Sequence, residues 1–290
     1  MAQREVTPNT LCGRLVQLLH NRLSPNDLID GHHPRVSDRF DGLVDIERLP
    51  RGEPNASRLD RMLQTDRLEY LDRDDIADDV KEGIHRVWDR VGGFLHSHDH
   101  LARITLAEVS DATEPRILEL GAGPGTLSRR ILELSPGART TVTDIDPVTV
   151  AKLAATHLGG HPRATVRIMD ATAIDAPDNA YDLAVMCNSL HHLTPTRAAQ
   201  VFAEGTRVAR KLLIIDVIRP PSILLVPHLS MILLLFAPIS WPYAHDVFIT
   251  FLRAYSPSAL RALAVHAGCG IELKLRRTGF QITVAARVRG

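Results

Sequence analysis

Cysteine is scarce in this 290-residue chain. Cys12, Cys187 and Cys269 lie far apart with no CxxC pair, which argues against a disulfide framework or a zinc knuckle and fits a reducing cytoplasm. Neither sign of charge is in excess, with 34 Lys and Arg against 34 Asp and Glu. A surface built to neutralise phosphates would show a basic surplus, so nucleic acid is not expected as a partner. The N-terminal stretch "MAQREVTPNTLCGRLVQLLHNRL" is too polar for a secretory segment and is interrupted by Arg14 and His20, so no export signal is visible.

Long apolar runs are also missing. The most apolar stretch, "ILLVPHLSMILLLFAPI" over residues 223–239, contains Pro227 and Pro238, which leave only 228–237 as unbroken helix. That is too short to cross a bilayer, which takes about 20 residues. It still has to be covered, because each large side chain left in water forfeits roughly 1.5–3 kcal/mol of burial. Aromatic residues form only 4% of the chain, yet Phe236, Trp241, Tyr243, Phe248, Phe251 and Tyr255 fall within residues 236–255. This concentration predicts a wall or lid over a hydrophobic small-molecule acceptor. A homodimer interface and peripheral contact with a membrane remain as alternatives.

What is present divides the chain into three. Residues 1–56 read as an N-terminal helix, with Leu11, Leu15, Leu18, Leu19 and Leu23 at helical spacing, followed by an irregular arm rich in Pro, Gly, Asn and Asp. Residues 57–110 read as a helical cap, since Ile76, Val80, Ile84, Val87, Val91 and Leu95 recur every three or four positions. From residue 111 to 290 the period changes. Short apolar strands at "RILEL", "RTTVTDID", "ATVRIMD", "YDLAVMCNS" and "KLLIIDVI" alternate with segments long enough for crossover helices, which predicts a doubly wound, mostly parallel α/β sheet. Residues 219–255 are inserted before a last helix, "SPSALRALAVHAG", that Ser256 should cap; a terminal hairpin follows.

The first strand runs into "GAGPG". A dinucleotide fingerprint needs Gly or Ala at the sixth position counted from Gly121, and Thr126 stands there, which weakens a nicotinamide reading. Glu119, two residues before Gly121, would repel a pyrophosphate but suits a ligand with an ammonium group. Asp144, at the end of the second strand, can accept both hydroxyls of a ribose. Asp170 ends the third strand, where it can receive an exocyclic adenine amine.

The segments "ILELGAGPGTLS", "VTDIDP", "IMDATAIDAPDNAYDLAVMCNSLHHL" and "LLIIDVIRP" resemble, in order and spacing, the motifs of class I S-adenosylmethionine-dependent methyltransferases over residues 111–218. The resemblance implies a seven-stranded sheet and S-adenosylmethionine as cofactor. Position by position, it implies that Gly121, Ala122 and Gly123 let the backbone approach the cofactor and that Glu119 orients the methionine ammonium, directly or through water. Asp144 would take the ribose, Ile145 would pack on adenine, Asp170 and Ala171 would meet the adenine edge, and Asn188 would line the methionine side. The cap, the "IIDVIRPP" strand end and the "HDxxxxxLRAYSPSALRALAxxAG" segment are similar to bacterial methyltransferases of phenols, quinones and polyketides. Residues 1–49 have no counterpart there.

Transfer to a hydroxyl calls for a base near neutrality, usually histidine. His191, beside His192 past the fourth strand, is one candidate, with a structural role as the alternative. His245, beside Asp246 in the insertion, is the other, although neighbours on a helix should diverge. The "HSHDH" cluster at 96–100 falls one residue short of a metallo-hydrolase pattern, so no metal is expected. The expected activity is O-methylation of a hydrophobic small molecule. The alternatives are C- or N-methylation of a similar acceptor and a non-catalytic cofactor-binding subunit.

Overall fold

Ile117, Leu118 and Leu120 are fully buried on the two faces of strand β1 (Arg116–Leu120), as a strand sandwiched between helix layers requires. The computed structural model describes residues 46–53, 56–94, 97–268, 270–278 and 281–288. The helix expected over residues 9–23 lies outside these, as does His96.

The other strands are β2 (Arg139–Asp144), β3 (Ala164–Ile168), β4 (Leu183–Cys187), β5 (Leu212–Val217), β6 (Ile271–Thr278) and β7 (Gln281–Val288). They form one seven-stranded sheet in the order β3-β2-β1-β4-β5-β7-β6. β1 to β5 pair in parallel, and β7 runs antiparallel to both β5 and β6. The strand order reverses between β1 and β4, which opens a crevice at their carboxyl ends, where sheets of this kind bind ligands.

Helices α1 (Arg58–Met62), α2 (Asp78–Phe94) and α3 (Ser97–Ala107) precede the sheet; α4 (Thr126–Leu134), α5 (Pro147–Ala154) and α6 (Pro195–Val208) connect its strands. α7 (Ser222–Phe236), α8 (Trp241–Arg253) and α9 (Pro257–Ala267) follow β5. One core lies between the sheet and α6 with α9, around Leu118, Phe202, Leu212, Ile214, Leu260 and Leu263. On the opposite face Ile117, Leu183, Leu213 and Ile215 pack against Leu101 of α3 and Ile131 of α4. Caps fall where the sequence puts them: the Asp146 side chain accepts from Val148 and Thr149 amides, and the Ser256 hydroxyl accepts from the Ala259 amide.

The insertion has a core of its own. Leu225, Leu229 and Ile232 on α7 meet Tyr243, Val247, Phe251 and Leu252 on α8 and Ile84 on α2. Two expectations change here. First, α7 runs unbroken through Pro227 instead of starting after it. Proline inside a helix costs about 3 kcal/mol, whereas burying three large aliphatic side chains returns roughly 1.5–3 kcal/mol each. Second, the aromatic cluster mainly forms this inter-helix core: Tyr243 and Phe251 are buried in it with Phe236 and Phe248 packed against it, while Tyr255 is buried in the core under α9 and Trp241 is exposed. At 15 residues α7 is about 22 Å long, short of the ~30 Å of a bilayer core. Among the described residues no helix is long and apolar enough to cross a membrane.

Candidate active site

The turn after β1 is built by three glycines in the left-handed region, Gly121 (φ 63°), Gly123 (φ 51°) and Gly125 (φ 71°). Two of them are packed. A Cβ on Gly121 would lie 3.1 Å from the Ser189 hydroxyl, and one on Gly125 would lie 2.6 Å from Leu153 and Leu158 methyls. A Cβ on Gly123 would meet nothing within 4 Å, so this glycine presents bare backbone to open space at the carboxyl edge of the sheet.

The acidic residues surround that space. Asp144 accepts the Gly123 amide on Oδ2 (3.0 Å) and the Asp146 amide on Oδ1 (3.0 Å), which leaves each oxygen a further lone pair for a ribose hydroxyl. Ile145, next in the chain, is 54% exposed. Asp170 accepts from the Thr172 amide (2.8 Å) and hydroxyl (2.7 Å) and meets Arg197 at 3.3 Å, while Ala171 packs against the neighbouring core. Asn188 takes positive φ (50°) and donates its amide to the Ile215 carbonyl at 2.8 Å. Glu119 is buried, with Oε2 accepting from the amide (3.1 Å) and hydroxyl of Ser128 in the first turn of α4. Burial outweighs these bonds and pushes its carboxyl up to about 7.

Past β4 the chain makes a 3-10 turn, Leu190–His192, and here the structure joins segments that the sequence keeps far apart. His191 is buried, with Nδ1 2.7 Å from Asp216 Oδ1 at the end of β5 and Nε2 3.5 Å from Glu69 Oε1. Burial favours the neutral ring, yet the charge and hydrogen bond of Asp216, together with Glu69, win and push His191 up to about 10. For Glu69 burial acts upward, and its interactions with His191 and His192 outweigh it and hold the carboxyl below the usual range. His192 places Nδ1 2.7 Å from Asp72. The carbonyls of this turn are held too: Arg51 and Arg253 both donate to the His191 carbonyl at 3.2 Å, and Arg51 also donates to that of Leu193 at 2.9 Å.

His245 and Asp246 do touch, contrary to the expectation for helix neighbours. His245 Nδ1 lies 2.9 Å from Asp246 Oδ1, because Tyr70 holds both side chains. The Tyr70 ring stacks on His245 at 3.9 Å between centroids, and its amide donates to Asp246 at 2.7 Å. Burial, the largest influence on Asp246, raises its carboxyl. His245 lines an open cavity of about 610 Å³ together with Arg67, Leu68, Tyr70 and Asp72 to Asp75, and none of the clustered aromatics of residues 236–255 lines it.

Sequence reasoning missed Arg51, Asp60, Glu69, Asp72, Asp216, Arg219 and Arg253. Asp60 and Arg219 form a buried pair, with guanidinium Nε 2.8 Å and Nη2 2.5 Å from Oδ1, and the side chains only 2% and 0% exposed. The available signal was "IIDVIRP", where two charges follow directly on an apolar strand. Nothing in the sequence distinguishes Asp60 or Glu69 from ordinary surface acids.

Residues 117–211 match the family described as Methyltransferase domain. Over 109 residues the chain is 33% identical to the malonyl-[acyl-carrier protein] O-methyltransferase of Geobacter sulfurreducens, a match covering 37% of this chain and 40% of that protein. The chain thus spans less than half the length of the curated relative it matches. Among solved structures, the plantazolicin methyltransferase BpumL in complex with SAH superimposes with a TM-score of 0.55 at 13% identity, covering 73% of this chain and 92% of the other. Human N-acetylserotonin methyltransferase in complex with SAM gives 0.50 at 19% identity, covering 79% and 64%. The strand order, the glycine turn and these matches identify the fold as that of class I methyltransferases, whose cofactor is S-adenosylmethionine.

Proposed function

We propose that this chain transfers the methyl group of S-adenosylmethionine to a hydroxyl of a hydrophobic small molecule, phenolic, quinone-like or polyketide in character. The observation that carries the cofactor part is Gly123, whose bare backbone faces open space beside a carboxylate with lone pairs to spare. The residues fit the cofactor: Gly121 to Gly123 would admit it, Asp144 and Ile145 would hold its ribose and adenine, and Asp170 and Ala171 would meet the adenine edge. Asn188 and Glu119 would border the methionine, with Glu119 facing its ammonium. Bound there, the cofactor supplies an electrophilic methyl carbon.

The chain's own task is then to align the acceptor, exclude water and take up a proton. His245 is suited to the last of these, since Asp246 anchors Nδ1 and leaves Nε2 to accept. His191 suits it less, because a ring held charged between Asp216 and Glu69 has no lone pair to offer. The apolar α7–α8 pair, whose second helix carries His245, supports a hydrophobic acceptor, although the open cavity at His245 is lined mainly by charged side chains.

Calorimetry with S-adenosylhomocysteine, followed by mass spectrometry of reactions with a panel of phenols, quinones and amines, tests the reading. Asp144→Ala should weaken cofactor binding at least about tenfold, because it removes hydrogen bonds to a charged acceptor worth roughly 1.5–3 kcal/mol each. His245→Ala should lower turnover by about 10²–10⁴-fold with cofactor affinity unchanged. Methyl addition to carbon or nitrogen would establish the alternative acceptors. Cofactor binding without turnover on any acceptor would point to a partner subunit.

One observation favours an additional association. On the outer side of α7 and just beyond, Ile223 (85%), Leu234 (77%), Ile239 (65%) and Trp241 (57%) are exposed. A bilayer surface or a second copy of the chain would cover them. Liposome flotation and sedimentation velocity separate the two.

A further inference from the structure

Glu69, His191 and His192 come from two distant parts of the chain, yet each offers a ligand atom within 4.8 Å of the other two. Two imidazoles and a carboxylate are a donor set for a borderline transition ion, not for magnesium or calcium, which prefer oxygen throughout. We propose that these three side chains form a binding site for one divalent transition-metal ion of the zinc class, at the junction of the cap, the β4 turn and α8.

Three observations carry this. The first is spacing. Glu69 Oε1 and His191 Nε2 are 3.5 Å apart, longer than the about 2.7–2.9 Å of a charge-assisted hydrogen bond. Two donors about 2.0–2.2 Å from one tetrahedral ion stand about 3.3–3.5 Å apart. The pair is thus set for a shared ion better than for a direct bond.

The second is orientation. Each histidine has its other ring nitrogen on a carboxylate, His191 Nδ1 on Asp216 and His192 Nδ1 on Asp72, both at 2.7 Å. Carboxylate-anchored imidazoles are the usual way proteins fix the tautomer and direction of a metal-binding histidine. Glu69 is likewise held, with the Thr250 hydroxyl 2.6 Å from Oε1, and an ionised carboxylate oxygen retains a second lone pair.

The third is charge and access. Asp216, Glu69 and Asp72 bring three negative charges to the cluster, and Arg253, 3.8 Å from Asp72, returns one positive charge. A divalent ion that displaces the proton His191 carries in the metal-free chain sits on neutral imidazoles and balances the remainder. Glu69 and His191 are buried, whereas the His192 and Asp72 side chains are 28% and 30% exposed, so entry lies on the side where Asp72 lines the open cavity. Three protein ligands leave a fourth position for a non-protein ligand on that side.

The test uses the full chain, stripped with a chelator and titrated with zinc by calorimetry, with cobalt as a visible-absorbing probe. The expected result is one tightly bound equivalent and a cobalt spectrum of low-symmetry nitrogen and oxygen coordination. His192→Ala should weaken zinc binding at least about 100-fold, and Asp72→Asn, which touches only the anchoring carboxylate, by about 10–100-fold. Circular dichroism checks that both variants remain folded. His161→Ala, which disrupts the separate His157–His161 ring pair, should change nothing. The proposal is overturned if no equivalent binds, if binding survives His192→Ala and Asp72→Asn in folded protein, or if His161→Ala abolishes it. None of these readouts involves S-adenosylmethionine, so the metal site stands or falls apart from the methyltransferase reading.

Discussion

Around the glycine turn, Asp144 accepts amides two and twenty-one residues away, and Asp170 is satisfied by Thr172, two residues on. Around the cap and insertion, Asp60 meets Arg219 across 159 residues, Asp246 meets the Tyr70 amide across 176, and Glu69 meets Thr250 across 181. The cofactor side is therefore assembled from short strand–turn–helix units that carry their own hydrogen-bond partners. The other side exists only once the cap, the β4 turn and α8 have closed on one another. On the first side Asp144 and Asp170 are part-exposed and accept from nearby backbone amides, and only Glu119 is buried. On the second side Asp60, Glu69 and Asp246 are buried and are held by groups from distant parts of the chain.

The largest effect should come from breaking the cap side at its most buried pair. Arg219→Met leaves Asp60 as an uncompensated interior charge and should cost about 3–5 kcal/mol in urea unfolding, whereas Arg219→Met with Asp60→Leu should recover most of it. Recovery confirms that the loss comes from the orphaned charge rather than from the shape of arginine.

Next in size is a contrast inside the glycine turn. Gly125→Ala forces a left-handed Cβ onto Leu153 and Leu158 and should destabilise by about 2–4 kcal/mol. Gly123→Ala pays the backbone strain alone, about 1–2 kcal/mol, and should lose cofactor binding instead, because its Cβ enters the open space. Thermal unfolding and calorimetry on the two variants would read opposite losses; equal losses would place the cofactor elsewhere.

The smallest effect sharpens the comparison by titration. Glu119 is protonated more readily in the folded chain than in the unfolded one, so the stability it contributes is complete below about pH 4.5 and is lost as pH rises through 7. An ammonium bound beside it favours the ionised form, so cofactor affinity should rise about tenfold between about pH 6 and about pH 8. Glu119→Gln should flatten that profile.

The contrast also explains what could be read in advance. The parallel sheet, its glycine turn, Asp144 and Asp170 were legible because strand period, turn chemistry and spacing are local. The path of α7 through Pro227 was not, since tertiary burial of Leu225, Leu229 and Ile232 overrode a local rule. The aromatics of the insertion were legible as a cluster, but composition could not show that Tyr243 and Phe251 pack between α7, α8 and α2. Glu69 and Asp60 were invisible because a buried acid looks like any other until its partner is brought to it.

The bonds joining α8 to the rest of the molecule bear on how an acceptor would enter. Asp246, Thr250 and Arg253, three successive turns of that helix, are tied in order to the Tyr70 and Leu71 amides, to Glu69 and to the His191 carbonyl. α8 is in effect riveted to the cap and the β4 turn, and a wedge-like opening of the whole insertion would have to break every rivet at once. α7 is held largely by the apolar contacts of Leu225, Leu229 and Ile232, with His228 edge-on to Phe251, and Pro221 and Pro238 bracket it as stiff boundaries. Breathing of the insertion therefore belongs to α7, and its amides should trade hydrogen for deuterium well before those of α8.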